Sequence, residues 1–174
     1  MENFFPTSDY KVPTSSNYMK FMEGENTFRV LSSAIVGYEY WNTNQKPVRS
    51  KEEFEGIPDD IKMVKNERGE SVPSPISHFW AFVVWNYNDK RIQILEVKQK
   101  GIMQTMQTYI KNPKWGSPKE YDFIVNRVGS GFDSTYSVAV NPKAPLEKSI
   151  EEMYAARSIN LNALYEDKDP FKGQ

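Results

Sequence analysis

The sequence predicts an all-β domain, a five-stranded β-barrel with minor helices, and three observations predict it. Five runs rich in β-branched and aromatic residues recur along the chain, two of them joined by a tight turn as a hairpin at 79–98. One amphipathic helical stripe falls between the third and fourth of these runs. An open antiparallel sheet of such apolar strands would leave long edges exposed, and closure into a barrel removes them.

Taken in order, residues 1–26 read as a polar arm with Pro6, Pro13 and aromatic clusters at Phe4-Phe5 and Tyr18-Met19-Lys20-Phe21. Residues 27–36 form the first expected strand, with Gly37 a bulge or bend where it leaves the sheet. Residues 42–78 are polar and carry Pro47, Gly56, Pro58, Gly69, Pro73 and Pro75. So long an insertion is uncommon in a compact domain and points to a functional loop, with a short helix expected at Lys51–Phe54. Phe79–Tyr87 is the strongest strand, Asn88-Asp89 the turn and Arg91–Lys98 the return. The first arm of this hairpin is apolar without interruption, so both its faces must be covered, one by the core and one by something else.

Ile102, Met106, Tyr109 and Ile110 then make a helical stripe that Asn112-Pro113 stops. Glu120–Val128 and Thr135–Val140 are the last two strands, joined by the Gly129–Asp133 turn. A helix at Glu147–Arg157 presents Ile150, Met153 and Tyr154 to the barrel, and the acidic end lacks any periodic pattern. The expected organisation is an arm (1–26), a barrel (27–142), a C-terminal helix (143–160) and an acidic flexible tail (161–174). Five closed strands with a helix between the third and fourth are the OB arrangement.

Several chemistries are excluded or weakened. The chain has no cysteine and a single histidine, His78, which removes disulfides and thiolate metal sites and predicts no cofactor. The N-terminus lacks a signal-peptide pattern, and no run approaches the about 18 apolar residues of a membrane span, so a cytoplasmic protein is expected. Gly129-Ser130-Gly131 is not followed by the helix that a phosphate loop requires. Asp89 with Glu96-Val97-Lys98 loosely matches a metal-dependent nuclease pattern, but strand spacing separates Asp89 from Glu96 by roughly 20 Å. We expect no catalysis.

Binding residues are better supported. Aromatics make up 14% of the chain, more than a small core needs. Net charge is −1, yet residues 79–127 hold eight Lys or Arg against four acids, and such a basic middle can meet phosphates. OB barrels bind on the face of strands two and three and on the loops beside it. Alternation places Trp80, Phe82 and Val84 in the core and turns Trp85 and Tyr87 outward beside Arg91 and Gln93. The expected interface adds Tyr38, Tyr40 and Trp41 at the exit of strand one, together with Arg49, Lys98, Lys100 and Arg127. Glu166, Asp167, Asp169, Pro170 and Phe171 form an acidic strip with a hydrophobic tip suited to a partner protein.

The segments GENTFRVLSSAIVGYEYWN, HFWAFVVWNYNDKRIQILEVKQKGI and YDFIVNRVGSGFDSTYSVAVNP, with the acidic DPF ending, resemble the single-stranded DNA-binding replication proteins of tailed bacteriophages over about residues 20–171. The resemblance implies sequence-independent binding of single strands, DNA or RNA, in replication, recombination or repair inside an infected host. It also implies a tail that recruits replication or recombination proteins. Departures are Lys172-Gly173-Gln174 after the phenylalanine, only Lys11 and Lys20 as bases in the arm, and no residues for the zinc of larger relatives. The alternatives are a protein-interaction module of the same fold and the nuclease.

Overall fold

The computed structural model describes Phe4, Thr7 and residues 16–172. The expected first strand is two strands, β1 (Gly24–Val30) and β2 (Ile35–Trp41). The chain breaks at Ser32, whose hydroxyl accepts a hydrogen bond from the Val83 amide at 2.8 Å in place of a backbone carbonyl. Gly37 is not a bulge but lies inside β2 opposite Phe79. A Cβ there would stand 2.3 Å from the Ser50 carbonyl oxygen, so close strand approach requires the glycine.

The insertion holds more order than its composition suggested. β3 (Pro47–Ser50) pairs with β2, while β4 (Met63–Lys65) and β5 (Ser71–Pro73) form a separate hairpin. The short helix expected at Lys51–Phe54 is absent there. Glu52, Glu53 and Glu55 would crowd like charges onto one turn with only Lys51 to offset them.

β6 (Ser77–Asn86) is the spine. One edge pairs antiparallel with β2 and β1 in succession, and the other with β7 (Arg91–Val97) along its length. α1 (Lys100–Lys111) follows, then β8 (Asp122–Val128) against β1 and β9 (Thr135–Val140) against β8. Among the described residues β7 and β9 do not pair, so the sheet is not closed by hydrogen bonds. The free edge of β7 instead takes the arm: Met19 N–H donates to the Ile94 carbonyl and Ile94 N–H to that of Asn17, both at 2.9 Å.

Two layers cover the two faces of β6. On one, Phe82 and Val84 join Phe28, Leu95, Val97, Phe123 and the buried α1 residues Ile102, Met103 and Met106. Ile110, expected on that stripe, is instead exposed. On the other face, α2 (Lys148–Ala155) and the 3-10 turn Leu161–Glu166 lie over Phe79, Ala81, Val83 and Trp85 through Ile150 and Leu164. The second cover demanded by the uninterrupted apolar strand is thus the chain's own C-terminal segment. Where a flexible acidic tail was expected, Leu164 and Pro170 are buried and Phe171 packs edge-on against Tyr18. Their apolar area outweighs the loss of chain freedom. No helix among the described residues is long and apolar enough to cross a membrane.

Candidate nucleic-acid interface

Register decides which side chains share a surface. Glu39 and Trp41 of β2 stand opposite Arg49 and Pro47 of β3, and alternation puts them on the same side of the sheet as Phe79 of β6 and Glu96 of β7. The C-terminal segment covers the middle of this side but leaves one end open. There a cleft of about 500 Å³ is lined by Trp41, Arg49, Glu96 and Lys98, with Tyr18 and Lys20 contributed by the arm.

Trp41 is 39% exposed, and the Lys98 ammonium lies 5.9 Å from its ring centroid. Beneath them Glu39 is 1% exposed and accepts from Arg49 Nε at 2.7 Å and from Lys98 Nζ. Arg49 also donates to Glu96 at 3.1 Å, and its guanidinium sits 5.9 Å over Phe79. Burial, with hydrogen bonding to Glu39, pushes the Glu96 carboxyl up to about 7. Burial acts on Glu39 as well, but hydrogen bonds from Glu96 and Lys98 and the charges of Lys98 and Arg49 outweigh it and hold that carboxyl low. Two cations and two carboxylates therefore face one exposed indole, and the carboxylates fix where the cations stand.

Of the expected interface, Trp41, Arg49 and Lys98 meet here. Trp85 does not: it is 8% exposed and packed with Leu31, Ile92 and Ile150. Tyr87 is half-buried beside it and donates to Asp122 at 3.0 Å. Both were expected outward because alternation fixes a face but not what lies on it, and α2 lies on it. Gln93 is buried, accepting from Asn86 at 2.8 Å and donating to the Ser16 carbonyl at 2.7 Å. Tyr40 is buried and donates to Asp60 at 2.7 Å, while the Tyr38 ring lies tilted against His78 with centroids 5.0 Å apart, on the opposite side from Trp41. Arg127 holds the arm by donating to the Phe21 carbonyl at 2.8 Å. Lys100 is exposed at the start of α1, and Arg91 lies at the hairpin turn. In the nuclease pattern, Glu96 and Lys98 are engaged with Arg49 and Glu39, and Asp89 lines a different cleft.

Sequence reading missed Glu39, Tyr18 and Lys20 as members of the site. Tyr18-Met19-Lys20-Phe21 stood out as an aromatic and basic cluster, but only the pairing of the arm with β7 carries it to the cleft.

No protein-family model matches the chain, and no solved structure matches it. A protein of Escherichia phage T5 described as "Probable ssDNA-binding protein" is similar to it, 27% identical over 139 residues. That stretch covers 70% of this chain and 53% of the relative, so the chain spans about half the length of the protein it matches. The similarity agrees with the resemblance to phage single-strand binders.

Proposed function

We propose that the chain binds single-stranded DNA without sequence preference and without catalysis of its own, with a base stacked on Trp41. The single observation that carries this reading is an exposed indole held under a fixed ammonium at the open end of the sheet. Stacking on such a ring contributes about 1–3 kcal/mol per base and is indifferent to which base it is. Lys98, Arg49 and Lys20 then stand where phosphates on either side of that base would pass.

The strand order supports reading the fold as an OB variant. β1 and β2 together take the place of its first strand, followed by β6, β7, β8 and β9, with α1 between the third and the fourth. We extend the proposal to a role in phage replication, recombination or repair in the host cytoplasm. The exposed acids Glu166, Asp167 and Asp169 are proposed to meet protein partners there. Titrating intrinsic tryptophan fluorescence with single-stranded oligo(dT), duplex DNA and RNA of equal length tests the reading. Quenching by oligo(dT) at low salt, reversed by added salt, is expected. An unchanged signal at low salt refutes it.

A further inference from the structure

A second basic cluster stands at the hairpin-turn end of β6 and β7. The β6–β7 turn carries Lys90 and Arg91, and α2 is followed by Arg157. These three line a cleft of about 350 Å³ with Ile92 and Met153, and among the described residues no carboxylate lines it. Asp89, the acid beside Lys90, lines the neighbouring cleft with Asn86 and Asn88 instead.

The two clusters are joined. The Arg157 guanidinium lies 5.2 Å over the Phe171 ring, Phe171 meets Tyr18 edge-on at 6.5 Å, and Tyr18 lines the first cleft with Lys98 and Trp41. Cation, ring, ring, cation and ring therefore run in series beside β7. Lys90 and Lys98 flank that strand, eight residues apart, which is roughly 26 Å at about 3.3 Å per residue. About eight nucleotides cover such a distance at 3.4 Å each, and fewer if the strand is stretched.

We propose that Lys90, Arg91 and Arg157 form a second phosphate-binding cluster for the single strand whose base stacks on Trp41, with Tyr18 and Phe171 as the surface it crosses between them. The inference rests on the function proposed above and adds the direction of the strand, along β7 from Trp41 to the hairpin turn. On this view Phe171 belongs to the nucleic-acid surface.

The test compares oligo(dT) of four and of sixteen nucleotides in salt titrations of the full chain. Lys90 has φ +54°, so Lys90→Asn suits its left-handed backbone, and Arg157→Gln removes the second charge. For the double variant with the sixteen-mer, the slope of log affinity against log salt should be shallower than wild type by about 1.4, at about 0.7 per lost phosphate contact. Lys90→Asn alone should lose about half of that, and Arg157→Lys should restore the wild-type slope at its position. The four-mer, too short to reach, should bind every variant like wild type. An unchanged slope with the sixteen-mer overturns the proposal, as does equal weakening of both oligonucleotides. If wild type quenches with neither, the underlying DNA-binding reading has failed instead.

Discussion

Replacing Glu96 by Gln gives the most exacting test of the cleft. At pH 8 the charges of Arg49, Lys98, Glu39 and Glu96 cancel, whereas at pH 6 the Glu96 carboxyl, pushed up to about 7, is largely protonated. The cleft then gains about one positive charge. At about 7 Å, a phosphate feels that charge by about 0.6 kcal/mol in bulk water and about 2.4 kcal/mol at an effective dielectric of 20. An intermediate value of about 1 kcal/mol makes binding roughly fivefold tighter at pH 6 than at pH 8. Glu96→Gln should bind oligo(dT) at pH 8 as wild type does at pH 6 and lose most of the dependence between them. His78 lies on the opposite side of the sheet, and His78→Gln serves as the control variant. The stability readout has its own sign. A carboxyl raised on folding favours the native state below its ordinary value and loses that contribution as the pH climbs through about 7, here by up to about 3 kcal/mol. Glu96→Gln should therefore melt higher than wild type at pH 8 and alike at pH 5. A variant that keeps the wild-type pH dependence of DNA binding would refute the assignment of Glu96.

Trp41→Ala should weaken oligo(dT) binding by about 1–3 kcal/mol with little change in melting temperature, read by competition against a labelled oligonucleotide. Trp85→Ala should do the reverse, costing about 3–5 kcal/mol of stability in urea unfolding, while the protein that remains folded binds DNA as before. A loss of affinity without a loss of stability would restore Trp85 to the interface. Gly37→Ala should destabilise the fold by at least 1 kcal/mol or so, because its Cβ would lie 2.3 Å from the Ser50 carbonyl oxygen; an unshifted urea midpoint would count against the β2–β3 register.

Much of this was legible in the sequence, and the rest failed for identifiable reasons. The 79–98 hairpin announced itself by a continuous β-branched and aromatic run and a polar turn, α1 by its period and its Asn-Pro stop, and β9 by β-branched residues between a glycine turn and Asn141-Pro142. These are signals that neighbours in sequence create. The break after Val30 was hidden because Ser32 forms its bond with Val83, 51 residues away. Trp85 was misplaced for a related reason. The side of β6 that carries it is apolar, which says that something covers it, but although the helix holding Ile150 was legible, nothing near it in sequence tells on which side of the sheet Ile150 and Leu164 dock. At the site, Trp41, Arg49 and Lys98 were readable as residue types. Glu39 was not, since a glutamate between two aromatics gives no hint that it will anchor both cations.

That buried glutamate bears on how a chain of net charge −1 could hold a polyanion. Leaving Glu39 unpaired would cost several kcal/mol, so Arg49 and Lys98 are tied to it before any ligand arrives. Their attraction for phosphate is blunted by the same carboxylates that position them. What remains undiminished is the indole, whose exposed face needs no counter-charge and which the ammonium above it keeps in place. Stacking is weakly screened by salt, whereas each free phosphate contact is strongly screened. On the proposed function, a cleft built this way would hold a base more firmly than a backbone, and so would tell a single strand, whose bases are free to stack, from a duplex of equal charge whose bases are not. Lys90 and Arg157, whose cleft is lined by no carboxylate among the described residues, would then carry most of the salt dependence.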